Sequence, residues 1–391
     1  MPICGTIRGS RVNKLVINLE AMHHNLVTIN KWMEEQNARW TVVTKVLCGH
    51  VETLEALVLS GVRSIGESRF KNLISYKEYI PNLETWYLRI PSMSAIEQIV
   101  RYSNISLNSE MDIIEAINKE ARKQDLIHRV VIMIELGDLR EGILPSSLMK
   151  FYKHIFELSN VNVIGIGANL GCLAGAVPNI DQFVQLQLYK ELLELKFGEK
   201  MPLISAGSTA TLPLVIDKSL PKGINHFRIG EGVFLGTDLI NGGTLPNLRN
   251  DTVILKGEII EIKKKSLMAQ VETGNSTPFE SSGDDEDYEP GQRGYRALVN
   301  VGQLDTNVQG LIPQNPSHKI AGASSDITVV NVGENPSGLK IGGTIDFRLD
   351  YAALLGLMSS EYVEKEVEPT IDEFQELVNR EGKLSIPLPL E

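Results

Sequence analysis

One lysine stands out among the residues of this chain that could do chemistry. Lys45 follows the largely apolar run Trp40-Thr41-Val42-Val43-Thr44, which is typical of a buried strand. A lysine at the end of such a strand must reach solvent, pair with an acid or lose its proton, because an unpaired buried ammonium is costly. A desolvated, unprotonated amine condenses with an aldehyde, either of a carbonyl substrate or of a cofactor. A lysine that simply reaches solvent is the alternative.

Two small turns could bind a phosphate group. In Ser205-Ala206-Gly207-Ser208-Thr209, small residues let backbone N–H groups approach an anion, and hydroxyls can donate further hydrogen bonds. The second turn, Phe227-Arg228-Ile229-Gly230-Glu231-Gly232, follows the last strand predicted in the first part of the chain. Turns of this kind are common, so their meaning depends on where the fold places them.

Strand-like and helix-like patterns alternate over the first 240 or so residues. The predicted strands are Thr41–Val46, Ser64–Ser68, Thr85–Ile90, Ile105–Ser109, Val130–Leu136, Val161–Ala168, Leu203–Ala206 and His226–Gly230. The predicted helices include Glu52–Ser60, Met93–Tyr102, Glu110–Lys123, Leu148–Leu158 and Ile180–Phe197. This alternation indicates parallel βαβ units, and eight strands fit a closed (β/α)8 TIM barrel better than an open sheet.

Polar residues recur where the predicted strands end. They are Lys45, Glu67, Arg69, Arg89, Asn108, Ser109, Glu135, Asn169, Ser205, Ser208 and Arg228. In a barrel these positions open on one face, where barrel enzymes place their active sites. The first and eighth strands are neighbours in a closed barrel, so one cofactor could reach both Lys45 and the Gly230 turn.

The pattern changes after about Gly236. Strands are predicted at Thr252–Lys263, Arg296–Val301, Lys319–Ala321, Ile327–Val332 and Thr344–Leu349, with few helices between them. We therefore predict a barrel domain at residues 1–238 and a mostly β domain at residues 239–391. An acidic segment at about residues 272–290 is interpreted as a surface loop, with recognition of a basic partner as the alternative. A short helix is expected from Ile371.

Composition narrows the class of protein. The net charge of −11 over 391 residues argues against nonspecific binding of nucleic acid or of anionic membranes. Three cysteines form neither a metal-spaced pair nor an even disulfide framework, which favours a reducing compartment. The sequence has no long apolar run and no signal-peptide core. The expectation is a cytoplasmic enzyme that acts on a small molecule, without a bound metal.

The motifs, taken in order, resemble a known family. Those that carry the resemblance are Val43–Gly49, Leu88–Pro91, Glu135–Gly142, Ser205–Thr209, Asn225–Glu231 and Asp350–Met358. Together they resemble fold-type III pyridoxal-phosphate enzymes, and within that group the alanine racemase superfamily, nearest its ornithine racemase branch. The resemblance spans both predicted domains, and the ordered combination is much more specific than any single motif.

The resemblance implies a role for each matching residue. Lys45 would hold pyridoxal 5′-phosphate covalently and return a proton to the substrate Cα, and Arg228 would face the pyridine nitrogen. Arg140 would lie near the cofactor phenol oxygen or the substrate carboxylate, and Asn169 stands where alanine racemases have a histidine. The phosphate would be held by Ser208, Thr209, Gly230 and the backbone of Glu231.

Two departures from the family pattern concern the second acid/base. The partner-subunit tyrosine of alanine racemases is matched here by Gln303, which cannot shuttle a proton. The carbamylated-lysine position is matched by Met133. Four residues remain as replacement bases: Cys48, Cys172, Asp305 and Asp326. The cysteines could equally be small buried apolar residues, and the aspartates could equally stabilise turns.

Other charged residues keep two interpretations each. Glu135 and Asp138 could bind the side chain of a cationic substrate such as ornithine or lysine, or could pair with Arg140 or Arg89. Glu67 and Arg69 could form an ordinary ion pair at a strand end. His50 is expected to cap or pack near the first barrel strand.

These observations predict a pyridoxal-phosphate-dependent amino-acid racemase. The resemblance implies a head-to-tail homodimer in which each β domain closes the partner's site. The main alternative is a carrier or regulator that binds the cofactor without turnover, which the missing tyrosine favours. Decarboxylation is a third interpretation, since related barrel decarboxylases share the lysine.

Overall fold

The computed structural model describes residues 13–171, 176–267, 288–289 and 291–384. In chain order the described strands are β1 (Lys14–Asn18), β2 (Arg39–Val43), β3 (Ser64–Glu67), β4 (Glu84–Tyr87), β5 (Ile105–Asn108), β6 (His128–Met133), β7 (Val161–Gly167), β8 (Leu203–Gly207), β9 (His226–Ile229), β10 (Val253–Ser266), β11 (Arg293–Val299), β12 (Leu311–Pro313), β13 (Lys319–Ala323), β14 (Thr328–Asn331), β15 (Thr344–Leu349) and β16 (Glu364–Glu368).

The described α-helices follow the same order. They are α1 (Leu19–Gln36), α2 (Val51–Leu59), α3 (Phe70–Tyr79), α4 (Ile96–Tyr102), α5 (Met111–Lys123), α6 (Leu148–Ile155), α7 (Ile180–Phe197), α8 (Leu212–Ile216), α9 (Glu231–Phe234), α10 (Tyr351–Ser359) and α11 (Ile371–Glu381). Within the described ranges, none of these helices has the length and apolar character needed to cross a membrane.

The chain divides into two compact units. The barrel unit consists of the described residues in 22–45, 54–249 and 372–391, and the β unit of those in 13–21, 46–53 and 250–371. The domain boundary predicted between residues 238 and 239 stays a prediction. The acidic segment at about 272–290 lies outside the described residues except for Tyr288 and Glu289.

In the barrel unit, β2 to β9 form a closed parallel barrel in sequence order. The barrel closes where β9 pairs with β2, with Thr41 opposite Arg228 and Val42 opposite Ile229. All eight barrel strands overlap the ranges predicted for them, and the predicted (β/α)8 class is confirmed. Inside the barrel, apolar residues from several strands form one buried cluster: Trp86, Ile105, Leu107, Val131, Met133, Ile164 and Leu203.

The β unit contains an antiparallel sheet in the order β12-β15-β10-β11-β14-β13. Strand β1 extends this sheet by pairing antiparallel with β10 and parallel with β16. The predicted mostly β character of the C-terminal part is confirmed. Strands β1, β12 and β16 were not predicted.

Several helices were also missed, while one was predicted with identical bounds. Helices α1, α3, α8, α9 and α10 match no helix named in the prediction, whereas α7 was predicted at Ile180–Phe197. Asn179 and Gln182 form a reciprocal capping box at the start of α7, and Gly198 ends it in the left-handed conformation at φ 77°. Such end signals are readable from sequence because they act within one turn of the helix.

Gly207 ends β8 at a point where the neighbouring strand leaves no room for a side chain. A methyl group at this position would lie 1.9 Å from the ring of Phe227, its partner on β9. The Phe227 ring is fully buried and cannot move into solvent. The glycine therefore lets β8 and β9 approach each other just before the Ser208 turn.

We expect Gly207→Ala to lower the free energy of unfolding by at least about 2 kcal/mol, because the methyl group overpacks a rigid core. Urea unfolding followed by circular dichroism measures the change. Gly343→Ala is the control, since its methyl would meet a single atom within 4 Å, Lys340 O at 3.1 Å. Equal stability of Gly207→Ala and the parent protein would contradict the close approach.

Candidate active site

The centre of the candidate site is the guanidinium of Arg228 on β9. The residue is only 7 % exposed, so its donors need acceptors from the protein. Arg228 Nη1 donates to Ser205 O at 2.5 Å and to Ser205 Oγ at 2.6 Å. Its Nη2 donates to Ala168 O at 3.0 Å and to Asn169 Oδ1 at 2.6 Å. These four neutral oxygen atoms fix the arginine against the ends of β7 and β8.

Asn169 connects Arg228 to the loop that follows β6. Its Oδ1 accepts from Arg228, and its Nδ2 donates to Glu141 Oε1. Glu141 also receives two hydrogen bonds from Arg140, from Nε at 2.5 Å and from Nη2 at 2.6 Å. The structure thus brings together Arg140, Asn169 and Arg228, as the sequence predicts, through a carboxylate that had no predicted role.

Glu141 is held as a carboxylate by its neighbours. Burial alone would raise its pKa, but the hydrogen bonds and charge of Arg140, together with the charge of Arg228, lower the pKa below its usual value. Fork-shaped arginine–carboxylate pairs are stronger than single contacts. Glu141 therefore supplies a negative charge that is linked to Arg228 through the Asn169 side chain.

Glu135, in the loop after β6, makes contacts that neither predicted interpretation included. Glu135 accepts hydrogen bonds from the backbone N–H groups of Gly137 at 2.5 Å, Leu139 at 3.2 Å and Arg140 at 3.0 Å. It shapes the loop by these contacts, and the ion-pair partner of Arg140 is Glu141. Asp138 is 1 % exposed, so its carboxylate is not a surface group.

The two predicted phosphate turns meet each other. Thr209 Oγ1 accepts a hydrogen bond from Gly232 N at 3.1 Å, which joins the turn after β8 to the turn after β9. A hydroxyl that accepts can still donate its own hydrogen, and an anion is a suitable acceptor. The backbone N–H of Ser208 donates to Thr211 Oγ1 at 2.8 Å. Glu231 begins the short helix α9.

Gly230 brings the second turn against the strand that leads to Lys45. A Cβ at Gly230 would lie 2.9 Å from Val43 O and 3.1 Å from Val43 Cβ. Only a residue without a side chain lets the turn approach this closely. The predicted proximity of the Gly230 turn and the end of the first barrel strand is therefore present in the backbone.

Lys45 lies beyond the strand, not at its buried end. Strand β2 ends at Val43, Thr44 N donates to Gly66 O at 2.9 Å, and Lys45 begins a short 3-10 helix. Its side chain is exposed. Of the two interpretations of Lys45, the structure shows the lysine that reaches solvent, because the strand ends at Val43, three residues earlier than predicted.

Glu67 and Arg69 do not form the predicted ion pair. Glu67 is fully buried, and Oε1 accepts from the backbone N–H groups of Ser68 at 2.6 Å and Arg69 at 3.1 Å. Its Oε2 accepts from Asn72 Nδ2 at 3.1 Å. Burial raises the pKa of Glu67 in spite of these bonds. The carboxylate therefore stabilises the start of α3.

The proposed replacement bases in the β unit have local partners. Asp305 Oδ2 accepts from Gly302 N at 3.0 Å, and Asp326 Oδ2 accepts from Ser325 Oγ at 2.8 Å. Cys48 is exposed and has a left-handed backbone at φ 49°. His50 Nδ1 contacts Thr53 Oγ1 at 2.8 Å at the start of α2. Cys172 lies outside the described residues.

Two functional candidates were missed by sequence reasoning. Glu141 stands in the quoted motif after β6, and its place beside Arg140 was the signal. His226 precedes Arg228 by two residues, so both side chains lie on the same face of β9. The alternation of side chains along a strand is the signal in the sequence that points to His226.

Comparison with known proteins places the chain in a family. The family described as alanine racemase, N-terminal domain, matches residues 17–238, which is more than half of the chain. The chain belongs to this family. The parallel barrel agrees with that assignment, and the resemblance identified from sequence is confirmed.

Two curated relatives are similar over almost their whole length. Ornithine racemase from Acetoanaerobium sticklandii is 33% identical over 355 residues, covering 90% of this chain and 99% of that protein. Lysine racemase from Thermotoga maritima is 30% identical over 358 residues, covering 92% and 99%. The predicted class, an amino-acid racemase and hence an isomerase, is confirmed at the level of the family.

The fold is also shared with solved structures. Alanine racemase from Bartonella henselae, solved with covalently bound pyridoxal phosphate, has a TM-score of 0.68 and 15% identity. The likeness covers 91% of this chain and 99% of that one. At this identity the likeness concerns the fold alone.

We expect Glu141→Gln to lower the free energy of unfolding at neutral pH by about 1 kcal/mol, because Arg140 is partly exposed and solvent screens the pair. The lowered pKa means that Glu141 contributes stability above its unfolded-state pKa of about 4.5. That contribution is lost as the pH falls through the folded-state pKa. Urea unfolding of both proteins from pH 7 downward should show the difference narrowing below pH 4.5.

The control is Glu157→Gln, an exposed carboxylate on the barrel unit, which should change stability by less than about 0.5 kcal/mol. A stability difference for Glu141→Gln that does not change with pH would contradict the ionised role.

Proposed function

We propose that this protein binds pyridoxal 5′-phosphate and uses it to racemise an amino acid. The observation that carries the proposal is Arg228, a buried cation held by four neutral oxygen atoms beside two turns that can accept a phosphate. The family supports the cofactor, and one structural relative was solved with it covalently bound.

The residues present fit this cofactor. The Gly230 turn lies where a Cβ would collide with Val43, so its backbone can come close to a bound group near the end of β2. Thr209 can donate its hydroxyl hydrogen, and Ser208, Gly230 and Glu231 complete the proposed phosphate site. Lys45, two residues after Val43, is the lysine proposed to hold the cofactor covalently.

Arg228 would set the chemistry by its charge. When bound, the cofactor withdraws electrons from the substrate Cα and makes its C–H bond acidic. A guanidinium is always charged, so Arg228 disfavours protonation of a pyridine nitrogen that faces it. A less electron-withdrawing ring suppresses transamination, which is the behaviour required of a racemase.

Lys45 would move the proton on one face of the substrate. Arg140, held by Glu141, and Asn169, held by Arg228 and Glu141, would then border the cofactor or the substrate carboxylate. The opposite face needs a second acid/base, for which Cys48, Cys172, Asp305 and Asp326 are the candidates. Gln303 stands in place of the family tyrosine and cannot serve.

The substrate and the assembly are also proposals. The two curated relatives are named for ornithine and lysine, which favours a basic amino acid. The assembly proposed is a homodimer in which the β unit of one protomer closes the site of its partner. A cytoplasmic location remains a prediction from the cysteine content.

We expect Lys45→Ala to lose both the visible absorbance band of the lysine-bound cofactor and all racemisation. Chiral chromatography after incubation with single L-amino acids, including ornithine, lysine, alanine and serine, measures turnover and names the substrate. Lys150→Ala, an exposed lysine on α6, is the matched control and should keep both properties. Because Lys45 is exposed, its removal should leave the unfolding midpoint unchanged.

Other outcomes separate the alternatives. A band that depends on Lys45 without D-amino acid formation from any substrate would favour a carrier. Release of carbon dioxide from ornithine, lysine or arginine would identify a decarboxylase. A monomer in solution with full activity would contradict the proposed dimer.

A further inference from the structure

A row of hydrogen-bonded polar side chains crosses the barrel interior behind Arg228. This interior row consists of Arg228, Ser205, His226, Thr41, Ser64 and Glu84. All six are buried, and they lie on β9, β8, β2, β3 and β4. Buried polar groups of this number are costly unless every donor finds an acceptor.

The contacts along the interior row are continuous. Arg228 Nη1 lies 2.6 Å from Ser205 Oγ, which lies 2.8 Å from His226 Nδ1. His226 Nε2 lies 3.1 Å from Thr41 Oγ1. The row continues from Thr41 Oγ1 to Ser64 Oγ at 2.8 Å and from Ser64 Oγ to Glu84 Oε1 at 3.2 Å.

The end of the row at Glu84 determines which atom donates in each contact. Arg129 Nη2 lies 3.1 Å from Glu84 Oε2, and Trp86 Nε1 donates to Glu84 Oε1 at 2.8 Å, so Glu84 acts as a carboxylate acceptor. Ser64 must then donate to Glu84. Each hydroxyl has one hydrogen, so Thr41 donates to Ser64, and His226 Nε2–H donates to Thr41.

The Arg228 end of the interior row specifies the same donor and acceptor for each hydrogen bond. A guanidinium only donates, so Ser205 Oγ accepts from Arg228 and has its one hydrogen left for His226 Nδ1. A neutral imidazole with its hydrogen on Nε2 accepts at Nδ1, which matches the requirement from the other end. Both ends therefore specify one tautomer of His226.

The surroundings of His226 keep it neutral and oriented. Burial, followed by the positive charges of Arg228 and Arg39, lowers the pKa of His226 well below its usual value. The ring stacks on Trp86 with centroids 4.3 Å apart and planes 10° apart. The imidazole can therefore neither charge nor rotate easily within the folded barrel.

We propose that His226 is a positioning residue: as the Nε2–H tautomer it turns the Ser205 hydroxyl away from Arg228, so that Ser205 Oγ accepts from the guanidinium and holds it in place. The Glu84 carboxylate, which can only accept, determines which atom donates in each hydrogen bond of the row. The consequence for chemistry rests on the proposed function, because it assumes that Arg228 faces the pyridine nitrogen. The tautomer itself does not depend on that assumption.

The first test is nitrogen NMR of the full chain labelled with 15N-histidine, with and without added pyridoxal 5′-phosphate. The His226 resonances are identified by their loss in His226→Gln. We expect a protonated Nε2 and an unprotonated Nδ1, with no titration between about pH 5 and 8, where an ordinary histidine changes charge. A protonated Nδ1, or titration in that range, would overturn the proposal whether or not the protein binds the cofactor.

The second test measures the effect on Arg228. We expect His226→Leu to lower kcat/KM for racemisation by about 10- to 100-fold, the range expected when a hydrogen bond to a charged group is lost. Conversion of the cofactor to its amine form per racemisation turnover should rise, because a displaced Arg228 no longer opposes ring protonation. The amide of His226→Gln can accept from Ser205 and donate to Thr41. This variant should therefore restore much of the lost kcat/KM and much of the low rate of conversion of the cofactor to its amine form.

His128→Leu is the matched control. His128 is equally buried on β6 and contacts Ser106 Oγ at 2.9 Å, outside the interior row. It should leave the ratio of amine formation to racemisation unchanged. An equal change in His128→Leu, or an unchanged ratio in His226→Leu, would contradict the proposal. If His226→Leu does not fold, Thr41→Val breaks the next contact and should change the ratio in the same direction.

Discussion

The burial of one guanidinium is the constraint on which the rest of the site depends. Arg228 cannot lose its charge, and almost none of its surface reaches water, so protein atoms must accept its hydrogen bonds. Those acceptors are the carbonyl groups of Ala168 and Ser205, the Ser205 hydroxyl and the Asn169 amide. Satisfying one side chain therefore fixes the ends of three neighbouring strands relative to each other.

Polar contacts extend from Arg228 in two directions, and each ends at a carboxylate paired with another arginine. Toward the loop after β6, Asn169 leads to Glu141, which is paired with Arg140. Through the barrel, Ser205 and His226 lead to Glu84, which is paired with Arg129. Arg228 is thus linked to two carboxylates, each through intervening polar side chains. The oxygen atoms of Ser205, Ala168 and Asn169 that accept hydrogen bonds from its guanidinium are neutral.

Much of the fold could be predicted because its signals are local. The apolar runs of the eight barrel strands and the capping box and glycine of α7 act within a few residues. The missed elements depend on distant partners. Strand β1 pairs with β10 and β16, which lie far along the chain, and nothing in Lys14–Asn18 itself names those partners. Helix α3 was also missed. The Glu67 carboxylate, for which an ion pair with Arg69 was one interpretation, accepts backbone N–H groups at the start of this helix.

The sequence by itself determined the fold class, the family and the residues around which the site is built, because periodicity and small-residue turns are properties of short segments. Only the tertiary structure decided which atoms meet. In the structure the first barrel strand ends before Lys45, and the Lys45 side chain is exposed. Arg140 forms an ion pair with Glu141, and Glu135 accepts hydrogen bonds from the loop backbone. The structure also revealed His226 as the neighbour of Ser205 and Thr41. The reason is physical. Whether two groups form a hydrogen bond depends on differences of a few tenths of an ångström in the distance between them, and only the packed barrel sets those distances.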